Sequence, residues 1–153
     1  MLDETRLFSN VNAIDEYLTI QADPLEVRRA SVWLEQLCIA HNVPAEPLFR
    51  LDLCLNEVLA NIFYHGGKTA LSEPVFLQFN LSQNAEYRLV TISVSDAGDK
   101  FDLFTSVQQP SPKSLAEAEP GGLGLLLLRR LTDDLTYNYH AGCNQLSFSI
   151  NFV

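Results

Sequence analysis

Leu53 to Gly67 reads LCLNEVLANIFYHGG. It forms the C-terminal half of a predicted helix from about Ala45 to His65, closed by Gly66-Gly67, because glycine past the last periodic residue stops a helix. Leu48, Leu51, Leu55, Leu59 and Ile62 recur at helical spacing and make one apolar row. Glu57, Asn61 and His65 follow one another at intervals of four, which stacks three polar side chains along a different side. Cys54, Val58, Ala60 and Phe63 are apolar neighbours, so the helix is expected to be buried on more than one side. A carboxylate and an amide in such surroundings are costly unless they find partners. A polar stripe touching solvent is the ordinary explanation of this spacing. The apolar surroundings, and two glycine motifs further along, favour a site instead.

Outward from this helix the chain divides into short elements. Tyr17 to Ile20 is β-branched and aromatic and reads as a strand; Thr5 to Phe8 is a weaker strand candidate. Asp23-Pro24 supplies an N-cap and a proline at the first helical position, opening a helix that runs to about His41. Asn42-Val43-Pro44 breaks it. Two alternating runs, VFLQFNLSQ from Val75 and YRLVTISVS from Tyr87, flank a turn at Gln83-Asn84-Ala85-Glu86 and form a hairpin. Residues 102–120 are polar with no period, a loop long enough to be functional. Gly121-Gly122-Leu123-Gly124 opens a third helix to about Leu131. Asp134 to His140 and Gln145 to Val153 make a closing hairpin. Short connections between strands require a largely antiparallel sheet. Three helices against it give an α+β, two-layer sandwich.

Composition bounds the function. The length of 153 residues fits one domain, and 47% apolar residues fit an ordinary core. A net charge of −9 argues against direct nucleic-acid binding. Cys38, Cys54 and Cys143 show neither zinc spacing nor a disulfide framework, and are expected to be small buried hydrophobes. No signal-peptide pattern and no apolar run long enough for a bilayer occurs, so a soluble, cytoplasmic protein without membrane contact is expected.

Three motifs remain: Glu57-x-x-x-Asn61-x-x-x-His65, then Asp96-x-Gly98-x-x-Phe101-Asp102 at a strand end, then Gly121-Gly122-Leu123-Gly124 opening a helix. Each alone has an ordinary explanation as a helix face, a turn or a hinge. Glycines before a helix also present bare N–H groups to an anion. Gly67-Lys68-Thr69 is present, but Ile62 stands where a Walker A site needs its first glycine, and the β-α-β context of a Rossmann site is missing.

Together and in this order the motifs resemble the ATP-binding superfamily of histidine kinases, Hsp90, type II topoisomerases and MutL, which has the Bergerat fold. The match continues into the small bacterial anti-sigma-factor serine kinases, through His65, Phe101-Asp102, the length of the 102–120 loop and Gly142-x-Asn144-x-Leu146. The resemblance implies an ATP- and Mg²⁺-dependent protein serine kinase whose loop at 102–120 is a lid. By it, Asp96 accepts from the adenine amino group, Gly98 and Phe101 belong to the base site, and Asn61 holds Mg²⁺. Glu57 acts as general base, and Gly121, Gly122, Leu123 and Gly124 close over phosphates. The implied partners are a STAS-domain anti-anti-sigma protein and a sigma factor or other regulator, with a homodimer also implied. Lys100 departs from the family's second glycine and is expected to point to solvent. It keeps open an alternative, a degenerate nucleotide-binding switch without phosphotransfer. A histidine kinase catalytic domain ranks last, because no helical hairpin bearing a phosphoaccepting histidine precedes the first helix.

Overall fold

The computed structural model describes residues 13–100 and 122–153, with side chains from residue 126 in the second span. Period-two alternation builds its sheet. In β2 (Val75–Gln83) and β3 (Arg88–Asp96), Val75, Leu77, Phe79 and Leu81 and then Val90, Ile92 and Val94 share one buried face. β1 (Ile14–Ile20), β4 (Asp134–His140) and β5 (Cys143–Phe152) complete five strands in the order β1-β2-β3-β5-β4. Every neighbouring pair is antiparallel. The register aligns the buried set across the sheet: Phe79 faces Ile92, and Ile92 faces Phe148. The other face is mostly polar, with Tyr17 and Phe76 exposed on it. There the hydroxyls of Thr91 and Ser149 lie 2.9 Å apart, those of Ser93 and Ser147 2.7 Å, and Asp15 accepts from Gln78 and Asn80. One apolar face requires one covering layer.

Helices α1 (Pro24–Ala40), α2 (Ala45–His65) and α4 (Gly122–Leu131) supply that layer, together with the short α3 (Gly67–Ser72). Asp23 caps α1 by accepting from the Leu25 N–H at 2.9 Å, with Pro24 at the first helical position. Asn42, at φ 57°, turns the chain into Pro44 and α2. α2 buries Leu51, Leu55, Leu59 and Ile62 and lies over the central strands, with α1 towards β1 and α4 towards β4. Trp33 of α1 meets Phe79 edge-on at 6.4 Å between ring centres. Ser31 donates to Asp52 and ties α1 to α2. Arg50 donates to the Leu131 carbonyl at 3.1 Å and caps α4 from α2.

The expected α+β sandwich is present, with differences of detail. Four helices, not three, occur among the described residues. Gly66 ends α2 as expected, but Gly67, at φ 76°, turns the chain straight into α3. β1 is longer than the Tyr17–Ile20 core because Ile14 extends the inward set of Leu18 and Ile20 and pairs with Leu81. β5 starts at Cys143 rather than Gln145, because Ala141 (φ 53°) and Gly142 (φ 78°) make the turn by themselves. Asn84 builds the other hairpin turn, its Oδ1 accepting from the Glu86 and Tyr87 N–H groups. Cys38 and Cys54 are buried as expected, and burial pushes their thiols up to about 12 and about 11. Cys143 is a correction: it is exposed, beside the two-residue turn. No helix among the described residues is long and apolar enough to cross a membrane. Thr5–Phe8 and the 102–120 loop lie outside the described residues.

Phe79 sits fully buried where the sheet, Trp33 and His41 converge. Phe79→Ala is expected to lower unfolding free energy by about 3–5 kcal/mol in urea titrations, the usual cost of emptying such a site. A loss under about 1 kcal/mol would show that the neighbours collapse into the space.

Candidate active site

The site is where the inward-facing rows run out of apolar residues. Asp96 follows Val94 in the buried row of β3, and Asn144 opposes it in β5. Both are almost fully buried. Burial raises the Asp96 carboxyl above its ordinary 3.8, opposed by hydrogen bonds from Gly98 and Asn144. The Gly98 N–H donates to Asp96 Oδ1 at 2.8 Å, and Asn144 Nδ2 donates to the same oxygen at 3.2 Å. Asn144 also reaches the carbonyls of Gly98 at 3.2 Å and Asp99 at 2.9 Å, so it clamps the loop that leaves β3. The Asp99 N–H then donates to the Gly66 carbonyl at 2.8 Å, pinning that loop to the end of α2.

This close approach explains two glycines. A Cβ on Gly98 would lie 2.7 Å from Asp96 Oδ1, 2.8 Å from the Gly66 carbonyl and 2.9 Å from Ala70 Cβ. One on Gly66 would lie 2.4 Å from Ala70 Cβ and 2.5 Å from the Ile62 carbonyl. Backbone atoms cannot move aside, so both positions are closed to larger residues. Gly98 is therefore needed for packing within the protein, a reason distinct from the approach of a base.

A cleft lies between α2 and the sheet. Val58, Asn61, Ile62 and His65 form its helix wall. Val94, Asp96, Tyr137, Asn144 and Leu146 form its floor, with Gly66 and Asp99 at one end. Its free volume is about 40 Å³, room for a few waters rather than the roughly 300–1,000 Å³ of a small-molecule site. A ligand of that size must part the walls. Asn61 is buried, and its Oδ1 has no hydrogen-bond partner among the described residues. An amide oxygen left unpaired in an apolar wall is destabilising and is seldom retained without a ligand. A hard divalent cation such as Mg²⁺ takes such an oxygen. The residues present thus fit the metal implied by the sequence.

The expected site residues separate into groups. Asn61 and Asp96 line one cleft, and Gly98 is buried directly behind Asp96. Glu57, one turn before Asn61, is half-buried and stands outside the cleft lining. His65 is exposed at the cleft edge. Gly122, Leu123 and Gly124 form the first turn of α4. Phe101 and Gly121 lie outside the described residues. Lys100 is exposed as expected, but its Nζ is placed over the Tyr139 ring at 5.8 Å from the centre. Asn144 and Tyr137 were missed as site residues. Gly142-x-Asn144 was visible as a pattern, but the partner of Asn144 depends on the β3–β5 register.

The chain belongs to a known class of ATPase domain. A family model, the histidine kinase-like ATPase domain, matches residues 20–150, and the chain belongs to that family. Among individual proteins it is similar to the serine/threonine-protein kinase BtrW of Bordetella bronchiseptica, with 32% identity over 120 residues, 78% of this chain and 82% of that one. The serine-protein kinase RsbW of Listeria innocua is 27% identical over 129 residues, 82% of this chain and 80% of its own. Two solved structures share the fold. The RsbU and RsbW domains of Rv1364c from Mycobacterium tuberculosis align with TM-score 0.65 and 15% identity, covering 90% of this chain and 32% of that longer one. The SiaB–SiaC complex of Pseudomonas aeruginosa aligns with TM-score 0.52 and 12% identity, covering 97% and 93%.

The raised Asp96 carboxyl predicts a pH signature. Its folded value lies above its unfolded value, so between the two the native state binds more protons. Stability therefore falls as pH rises from 3.8 through the folded value, and the full penalty of the buried charge is present above it. Asp96→Asn keeps an oxygen for Gly98 and Asn144 and removes the charge. Urea denaturation from pH 4 to 7 is expected to show the variant gaining on the wild type as pH rises. A constant difference across that range would mean Asp96 carries no buried-charge penalty.

Proposed function

We propose that this chain is an ATP- and Mg²⁺-dependent protein serine kinase that also sequesters a regulator. The observation that carries this reading is the buried Oδ1 of Asn61, without a partner among the described residues, one helical turn from Glu57 and in the same cleft as Asp96. When bound, ATP supplies the phosphoryl group, and Mg²⁺ neutralises charge on its phosphates. Asn61 Oδ1 is the protein's ligand for the metal. Asp96 Oδ2 accepts from the adenine amino group. Glu57 takes the proton of the attacking serine hydroxyl. Gly121, Gly122, Leu123 and Gly124 close over the phosphates, with Phe101 near the base. The similarity to proteins named as serine kinases supports the choice of serine as acceptor. The partners in this reading are a STAS-domain anti-anti-sigma protein, which takes the phosphate, and a sigma factor held in alternation with it. The reading places the protein in the cytoplasm, as one domain with a lid at 102–120, acting as a homodimer.

Lys100 favours a second reading. A lysine at the family's second glycine suits a nucleotide-binding switch that transfers nothing. Two substitutions on adjacent turns of α2 separate these readings. Glu57→Gln is expected to keep ATP affinity within about twofold while transfer of labelled γ-phosphate to a STAS protein falls about a hundredfold or more, the usual weight of a general base. Asn61→Ala is expected to lose the Mg²⁺-dependent part of ATP binding. Wild type that binds ATP yet labels no STAS protein supports the switch. Equal transfer by Glu57→Gln removes Glu57 as the base.

Asp96→Asn tests the base site separately. The amide turns a donor towards the adenine amino group where an acceptor stood. An unpaired polar group costs about 1–3 kcal/mol, so calorimetry should show ATP affinity lower by roughly tenfold to a hundredfold. Unchanged affinity would place the base elsewhere.

A further inference from the structure

Asn144 and Tyr137 lie behind the carboxylate of Asp96, and together they set what it can offer to a ligand. Asn144 Nδ2 carries two hydrogens and has three acceptors around it: Asp96 Oδ1, Gly98 O and Asp99 O. Tyr137, on the neighbouring strand, donates its hydroxyl to Asn144 Oδ1. The three acceptors fix which end of the amide carries the nitrogen, and the hydroxyl holds the other end in place. Asp96 Oδ1 receives a second donor from the Gly98 N–H. No described residue donates to Asp96 Oδ2, and the carboxylate lines the cleft. One oxygen is tied back into the protein and the other is offered.

The two purines ask different things of such a carboxylate. Guanine presents two adjacent donors, N1–H and the 2-amino group, and a carboxylate meets that edge with both oxygens. Adenine presents one amino donor beside an unprotonated ring nitrogen and needs a single acceptor. We infer that Asn144, anchored by Tyr137, is a specificity-determining positioning residue that withholds Oδ1 of Asp96, so that the site takes adenine and refuses guanine nucleotides. The inference rests on the nucleotide reading above and adds a selectivity to it. A guanine would bring its second donor to an oxygen already holding two, and the donor would be buried without a partner. Mismatches of that kind separate ligands strongly, whereas differences in apolar shape do not.

The test is titration of ATP and GTP, each with Mg²⁺, into the full chain, for wild type, Asn144→Ala and Tyr137→Phe, with thermal melts as the folding control. Wild type is expected to prefer ATP. Asn144→Ala frees Oδ1 and lets the carboxylate turn, so ATP affinity should fall roughly tenfold while GTP affinity holds or rises. The ATP-to-GTP ratio then drops by at least that factor. Tyr137→Phe should move the ratio in the same direction by a smaller amount. It decides alone if Asn144→Ala does not fold. Equal weakening of both nucleotides, with the ratio unchanged, makes Asn144 purely structural and overturns the inference while leaving the nucleotide reading intact. A wild type that binds both equally overturns the inference alone. A wild type that binds neither overturns both.

Discussion

The packing of α2 across the middle of the sheet is the constraint on which the rest depends. Leu51, Leu55, Leu59 and Ile62 are buried in one core with Phe79, Ile92 and Phe148. That burial fixes the rotation of the helix about its axis, since each buried leucine contributes about 1.5–3 kcal/mol. Once rotation is fixed, a residue at 61 can only face the cleft, and one at 57 stands a turn back on its shoulder. The polar atoms of the site are thus placed by apolar contacts elsewhere on the helix. Asn61 keeps an unpaired oxygen because the surrounding core holds the helix that carries it.

A second constraint joins the end of α2 to the end of β3. Gly66 brings the helix terminus close enough for its carbonyl to accept from Asp99, and Gly98 lets the strand exit pass within van der Waals range of both. Asn144 holds the same loop from the opposite strand through two of its carbonyls. The cleft is therefore framed by three elements far apart in sequence, each pinned to the next by a backbone group. Such a frame can hold a carboxylate buried against the cost of desolvation, which the upward shift of Asp96 records.

The sandwich was legible because its elements carry unmixed periods. α2 was expected at Ala45–His65 and is found there, since eight buried positions and a terminal glycine leave no other frame. The two hairpins were legible for the same reason, down to the Asn84 turn. Short elements were not. α3 has six residues and one buried side chain, Ala70, too little to leave a period in sequence. Asp96 and Gly98 could be read as a pair because they are adjacent in the chain. Asn144 could not be joined to them, since its partners lie 45 to 48 positions away and depend on strand register. Tyr137 was hidden in the same way: its hydroxyl has meaning only beside Asn144.

Lys100 shows how a departure from a motif can be absorbed. A glycine is required where φ is positive or where a Cβ has no room. Among the described non-glycine residues only Asn42 and Ala141 have positive φ, so the backbone at Lys100 is in a region open to any side chain. The loop before it is held by Asn144 and by the Gly66 carbonyl, rather than by the freedom of a second glycine. The lysine side chain leaves the cleft and lies against Tyr139 on the strand next to Asn144. The turn that presents Asp96 is thus built from hydrogen bonds that do not involve residue 100. What the lysine alters is the charge beside the cleft, not the shape of the loop.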